Sequence, residues 1–224
     1  MHEELKFQYE NKTWCLVPQP KNRRIVKCKW VYVIKPNSLY KARLVTKGFT
    51  QVKGIDFQET FLPVARYEAI RFLLAHATLE DWEIEALDIK TAFLYGELDK
   101  EIYMEQLEGF VKKGQEGHIC RLLKAIYSLK QASRTWNEKL HKTLLANSFR
   151  CTCSDARVYV HDQWEMILIV YIDNLLPMGP SLDQITSIKK VLAKQFQMRD
   201  LGATTTFLGM RIEHDQKNRI LQID

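Results

Sequence analysis

Residues 166–174 read MILIVYIDN, an apolar run from Met166 to Ile172 that stops on Asp173 and Asn174. Seven apolar residues in a row, several of them β-branched, suit a buried strand. They fall far short of the roughly 20 that a membrane-spanning helix needs. Leu175-Leu176 is a short apolar return, so the segment reads as a meander with an acidic turn, and Ala156 to His161 supplies a strand before it. Residues 83–93, EIEALDIKTAF, end in a similar way: a strand-like run, Ile84 to Ile89, carries Asp88 at its close. An ionised carboxylate at the end of a buried strand is costly unless a cation or hydrogen-bond donors compensate it, and a metal site is one such compensation. For either aspartate alone, a turn residue bonding to local backbone is the more common arrangement.

Outward from these strands, Ala65 to Ala77 repeats apolar residues at Ile70, Leu73, Leu74 and Ala77, which predicts an amphipathic helix after Pro63. Ser133 opens a second helical pattern whose stripe of Trp136, Leu140 and Leu144 reads as core packing. Ser181 and Gln184 form a capping box for a third, burying Ile185, Ile188, Val191, Leu192 and Phe196. Thr204 to Asp224 is strand-like. Strands and helices mixed without regular βαβ alternation predict an α+β fold rather than a doubly wound sheet.

The 224 residues are 46% hydrophobic, enough for a real core in one large domain or two small ones. The opening MHEELKFQYE lacks an apolar segment of the secretory type, so an intracellular location without a membrane span is expected. Five cysteines with no C-x-x-C indicate reduced thiols rather than a disulfide framework or zinc ribbon. The formal charge of +6 is unevenly spread: residues 11–55 hold eleven Lys/Arg and no Asp or Glu, so the remainder sums to −5. Two β-rich runs here, Ile25 to Lys35 and Tyr40 to Lys47, flank Pro36-Asn37-Ser38-Leu39 and predict a hairpin. Alternation puts Lys41, Arg43 and Lys47 on one face and Tyr40, Ala42 and Leu44 on the other. Cations interleaved with Trp14, Trp30, Tyr32, Tyr40 and Phe49 suit a surface that tracks phosphates and stacks bases; a solvated basic face is equally compatible with the charge alone.

Seven strings in order, from TWCLVPQPK at Thr13 through CKWVYVIK, YKARLVTKGFTQVKGIDFQETFLPVAR, LDIKTAFLYGELDKEIYMEQLEGF, SLKQASRTW, YIDN and DLGATTTFLGMRI, resemble copia-type reverse transcriptase over roughly residues 12–213. The resemblance implies the right-hand polymerase arrangement without its thumb: fingers near 1–65 and 96–134, an antiparallel palm sheet packed on helices near 66–95 and 135–206, and the start of a primer grip and thumb at 207–224. It makes Asp88 the first catalytic aspartate, Ile89 the residue whose carbonyl assists at the metal, and Asp173 the first aspartate of a Tyr-x-Asp-Asp turn. Two Mg2+ ions would then serve nucleotidyl transfer from deoxynucleoside triphosphates on an RNA or DNA primer–template. Lys41 and Arg43 are expected near the triphosphate and Lys130 and Gln131 over the templating pair. Phe93 falls where a ring excludes the ribose 2′-hydroxyl, although a core phenylalanine would read the same way, and Phe207-Leu208-Gly209-Met210 resembles the primer grip.

The departures are specific. Asn174 stands where the family has the second aspartate, which removes one negative charge beside two divalent ions and predicts weak metal binding and a large loss of rate. Ser128 and Ser133 replace the family's usual Gly and Pro, and the basic hairpin turn is shorter. Alongside a polymerase, impaired or inactive, stands the alternative of a non-catalytic nucleic-acid-binding remnant. A working enzyme would belong in the cytoplasm or a virus-like particle with the rest of a retrotransposon polyprotein.

Overall fold

The structure, a computed structural model, describes residues 1–34, 40–60 and 64–224. The turn expected at Pro36-Asn37-Ser38-Leu39 lies outside the described residues, as does Pro63. Along the chain run α1 (His2–Glu10), β1 (Trp14–Pro18), β2 (Ile25–Val26), β3 (Cys28–Ile34), β4 (Tyr40–Thr46), α2 (Tyr67–Leu79), β5 (Glu83–Ile89), β6 (Glu97–Met104) and β7 (His118–Lys124). There follow α3 (Ala132–Ala146), β8 (Phe149–Cys151), β9 (Val158–His161), β10 (Ile167–Tyr171), β11 (Asn174–Gly179), α4 (Leu182–Ala193), β12 (Met198–Ala203), β13 (Thr206–Phe207), β14 (Met210–Asp215) and β15 (Ile220–Ile223). The mixture is α+β, and the chain divides into two compact units, residues 1–62 with 93–140 and residues 63–92 with 141–224.

In the first unit a four-stranded sheet, ordered β1-β7-β6-β2, and the β3–β4 hairpin enclose a core of Leu44, Leu94, Ile102, Met104, Leu122 and Ile126. The hairpin departs from the alternation read in its sequence. Leu44 is buried as expected, but Tyr40 is 81% exposed and its partner Ile34 66%, so among the described residues the outer end of the hairpin is uncovered. Lys47 falls just past the strand, where its N–H bonds to the Lys27 carbonyl.

The second unit is built on a six-stranded antiparallel sheet, ordered β12-β5-β11-β10-β9-β8. Leu168, Ile169 and Val170 of β10 are all buried, which explains a run apolar on both faces rather than alternating. The return strand β11 runs three residues beyond Leu176, through Pro177, to Gly179. Proline cannot donate to a ladder, and the pairing of β11 with β5 passes over Leu176 and Pro177 before resuming at Met178. Ser181 caps α4 by accepting from the Gln184 N–H at 3.4 Å, and Ile185, Ile188 and Leu192 face inward. Lys189 on the same helix ion-pairs with Glu85 of β5 and, at 2.7 Å, with Asp200 of β12, binding three elements together near the Asp88 strand.

Candidate active site

Asp88 and the Asp173-Asn174 turn are brought together by register. Strands β5 and β11 are antiparallel neighbours in which Asp88 and Asn174 are directly paired, and the Ile89 N–H donates to the Asp173 carbonyl at 2.8 Å. Directly opposed residues on adjacent strands project from the same face, with Cβ atoms about 5 Å apart. Asp88, Asp173 and Asn174 are each half-buried and Ile89 is buried. Among the described residues, no hydrogen bond or ion pair engages the Asp88 carboxylate. The amide of Asn174 donates from Nδ2 to Asp173 Oδ1 at 3.0 Å, so it tethers the one turn carboxylate instead of adding a second.

The turn is strained. Tyr171 pairs with Asn174, leaving Ile172 and Asp173 as a two-residue loop, and Ile172 has φ +57°. Positive φ at the first loop position is what glycine usually supplies, and a β-branched residue there is a genuine outlier, of a kind that clusters at functional sites. Thr91, three residues beyond Asp88, is also at positive φ (+50°), with its hydroxyl buried and unbonded. Phe207 and Met210 pair across a hairpin whose turn residues, Leu208 and Gly209, have φ of +52° and +84°. Phe207 and Met210 are buried in the core of the second unit, and the Leu208-Gly209 tip is the more exposed part of the hairpin.

One residue went unnoticed in the sequence. Arg199 of β12 is paired directly with Asp88 on the side opposite Asn174, so an exposed guanidinium, a carboxylate and an amide form one row across three strands. Its signal was a cation two residues after Gln197 in a strand that only the register brings to β5.

The other candidate residues belong to the first unit. The Arg43 guanidinium lies 5.6 Å above the Tyr127 ring, and Phe93 packs edge-on against the same ring at 5.1 Å while joining the core. Lys41 and Arg43 both act on Glu4 of α1, whose carboxyl is raised above its usual range by burial although the Gln8 hydrogen bond and these two cations oppose the shift. Arg23 bonds Glu101 at 3.2 Å. The basic segment therefore meets acidic partners from α1 and β6 that its own sequence lacks. Lys130 is exposed, with its N–H donating to Gln51 Oε1 at 2.7 Å. Gln131 is buried: its Nε2 donates to the Asp56 carbonyl at 3.0 Å and its Oε1 accepts from Gln51 at 3.2 Å. Ser128 takes φ +69°, the left-handed region in which glycine is at ease.

A strand-end carboxylate thus lies beside a strained, acidic two-residue turn on one antiparallel sheet, and residues 11–224 match the family model described as reverse transcriptase (RNA-dependent DNA polymerase). The chain belongs to this reverse transcriptase family, whose members generally use divalent metal ions. It is 43% identical, over an alignment of 229 positions that covers 99% of the chain, to the retrovirus-related Pol polyprotein from transposon TNT 1-94 of Nicotiana tabacum. Over 218 residues it is 38% and 39% identical to the corresponding polyproteins from transposons RE1 and RE2 of Arabidopsis thaliana, covering 94% of the chain in each case. It spans 17% of the tobacco protein and 15% of each Arabidopsis protein. Among the described residues no group of three or more His, Cys, Asp or Glu side chains is gathered as a metal site.

Proposed function

We propose that this chain is the fingers-and-palm portion of a retrotransposon Pol polyprotein, organised for RNA-directed DNA synthesis and impaired at Asn174. The first unit serves as fingers and the second as palm. The observation that carries the reading is the register that pairs Asp88 with Asn174 and hydrogen-bonds Ile89 to Asp173. Two carboxylates with adjacent amide and main-chain oxygens suit a hard cation, because Mg2+ is commonly held by one or two carboxylates and completed by substrate phosphates. Asp88, Asp173 and the Ile89 carbonyl would hold it. When bound, two such ions lower the pKa of a primer 3′-hydroxyl and neutralise charge on the pyrophosphate leaving group. With Asn174 in the turn the protein supplies two negative charges where the family supplies three, so occupancy by the second ion is weakened.

The remaining residues bind and orient. Arg199, in the same row as Asp88, would place a cation where phosphate charge develops. Lys41, Arg43 and Lys130 offer charge to the triphosphate and template backbone, and Gln131 shapes the backbone of its segment through Gln51 and Asp56. Phe93 selects against the ribose 2′-hydroxyl, and Leu208-Gly209 contacts the primer end. The partners are a primer–template, deoxynucleoside triphosphates and the rest of the polyprotein, in the cytoplasm or a virus-like particle. Asn174 favours one other reading, a remnant that binds nucleic acid without turnover. Single-nucleotide addition to an annealed primer separates them: slow addition that EDTA and Asp88→Asn both abolish supports the polymerase. Steady binding of primer–template with no addition at any Mg2+ concentration supports the remnant.

A further inference from the structure

Glu4 is a buried carboxyl among the cations of the first unit, 7% exposed on α1. The helix that carries it is fixed: Leu5 joins the core, and the Gln8 carbonyl accepts from the Thr13 N–H at 3.0 Å and from the Thr13 hydroxyl at 2.9 Å. Gln8, itself buried, donates from Nε2 to Glu4 Oε1 at 3.1 Å. The Leu44 N–H of β4 is a second donor to the same carboxyl. N–H groups two residues apart in a strand point the same way, and the Thr46 N–H bonds the Tyr127 carbonyl at 3.0 Å, off the edge of β4 that faces away from β3. The Glu4 carboxyl therefore covers that edge and lies against the Arg43–Leu44 peptide.

An ionised carboxyl in such a place is costly unless donors and cations compensate it. Burial pushes Glu4 above its usual range, while the Gln8 and Leu44 hydrogen bonds and then Lys41 and Arg43 oppose the shift. Among the described residues these two cations are the charged groups that act on it. Both are half-buried, and Arg43 lies 5.6 Å from the Tyr127 ring with its Nε buried and without a hydrogen-bond partner. Among the described residues Arg43 forms no ion pair, so Glu4 attracts it from a distance and does not fasten it. An anion bound to Lys41 and Arg43 would cancel the two charges that favour ionised Glu4, burial would then dominate, and the carboxylate would take a proton from solvent. Linkage is reciprocal: an anion whose binding takes up a proton binds more tightly as pH falls.

We propose that Glu4 is an internal counter-anion that opposes phosphate binding at Lys41 and Arg43, and that a phosphate group bound there is accompanied by proton uptake at Glu4, so that acid tightens binding. This deepens the polymerase reading and rests on its assignment of Lys41 and Arg43 to phosphate. The phosphate could come from a triphosphate or from the backbone of a template strand.

The test uses inorganic tripolyphosphate and oligo(dT) as probes, with the whole chain in EDTA so that no metal-dependent step contributes. Glu4→Gln keeps an acceptor for Gln8 and Leu44 and removes the charge. At about pH 8 it should tighten binding by about fivefold, and by less at about pH 5, where the parent is already partly protonated. Tripolyphosphate titrates in this range, but equally against both proteins, so the difference between them reports Glu4. Tightening of tripolyphosphate identifies a triphosphate as the ligand, and tightening of oligo(dT) alone identifies the strand. Should Glu4→Gln fail to fold, calorimetry of the parent with oligo(dT) in two buffers of different ionisation heat reads the proton directly: uptake is expected near about pH 5.5 and should fall away by about pH 8. Binding that Lys41→Met and Arg43→Met weaken, but that Glu4→Gln leaves unchanged at every pH or that takes up no proton, would overturn the proposal and leave the polymerase reading standing. Binding that is absent, or indifferent to Lys41→Met and Arg43→Met, would remove the phosphate site from the polymerase reading and the proposal with it.

Discussion

Replacing Asn174 by aspartate tests the candidate active site in two ways at once, because the charge should harm the protein without metal and help it with metal. Position 174 is paired directly with Asp88, so a new carboxylate would sit about 5 Å from an existing one. At an effective dielectric near 20, two such charges repel by about 3 kcal/mol, and since both positions are half-exposed the screened cost is nearer 1 kcal/mol. The amide's 3.0 Å bond to Asp173 Oδ1 is lost as well, which adds about 1 kcal/mol. The expected destabilisation in EDTA is therefore about 2 kcal/mol, which for a chain of this size lowers Tm by roughly 4–8 °C. Mg2+ should reverse most of that loss in the variant and leave the unsubstituted chain nearly unmoved, because three clustered carboxylates bind a divalent ion far better than two. Calorimetry with and without Mg2+ reads this directly. Single-nucleotide addition should rise by about 100-fold or more, since a full charge beside two metals is commonly worth several kcal/mol in the transition state. If the variant melts at the same temperature as its parent in EDTA and gains nothing from Mg2+, the carboxylates do not share a site and the reasoning fails.

Other consequences follow from single contacts. Ser128→Gly relieves the left-handed backbone at φ +69° and should raise stability by about 0.5–1 kcal/mol; a lower melting temperature would refute it. Gly48→Ala should yield insoluble or unfolded protein, because an added Cβ would fall 1.8 Å from the Ser128 carbonyl oxygen, a backbone atom that cannot swing aside. Lys189→Met should cost about 3 kcal/mol by stranding Glu85 in a nearly buried position, measured by urea unfolding at neutral pH. The same variant should lose the acid sensitivity that comes from Asp200. Burial disfavours the charged form there, but the Lys189 bond and the Gly202 N–H outweigh it and hold the folded pKa below the unfolded value. That stabilisation is complete above about pH 4 and disappears as pH falls through the lower folded value, so a steeper loss below pH 4 should appear in the parent and not in the variant. Affinity for a primer–template should fall steeply with salt, but by less than eleven cations would give, because Arg23 is paired with Glu101 and Glu4 faces Lys41 and Arg43.

What could be read from the sequence depended on whether the cause was local. The apolar run before Asp173, the capping serine at 181 and the stripe of Trp136, Leu140 and Leu144 are each set by residues a few positions apart, and the strand and helices appear where the pattern places them. Asp88 and Asp173 could be singled out as carboxylates that end apolar strands, because that violation of burial is visible without neighbours. Pairing across strands was invisible to local patterns. Arg199 became part of the row with Asp88 only through the β5–β12 register, and the acidic partners of the basic segment arrive from residues 4 and 101. Tyr40 was placed on a packed face by alternation, but alternation reports two faces and cannot say where the covering layer ends. Gln131 was placed over the templating pair from the resemblance, and only the fold shows its side chain bonded to Gln51 and the Asp56 carbonyl, 80 and 75 residues away in sequence.

Backbone strain bears on the defect proposed at Asn174. Ile172 at φ +57° holds the acidic turn, Thr91 at φ +50° follows the Asp88 strand, and Leu208 at φ +52° forms the hairpin tip. Each such residue costs of order 1–3 kcal/mol and persists only where the surrounding structure over-determines it. Glycine would remove that cost at any of the three, as it does at Gly209. In the second unit the strain is supported by packing: Leu175 and Leu176 after the turn are wholly buried, Ile89 after Asp88 is 1% exposed, and Phe207 before Leu208 is 4% exposed. Asn174 has nearly the size and shape of aspartate, and its backbone stays in register with Asp88. The departure at 174 is thus a change of charge on a frame whose geometry is held elsewhere, and charge is what a single substitution can restore. A defect of geometry, by contrast, would have had to relax Ile172 or break the Ile89–Asp173 hydrogen bond, and both are in place.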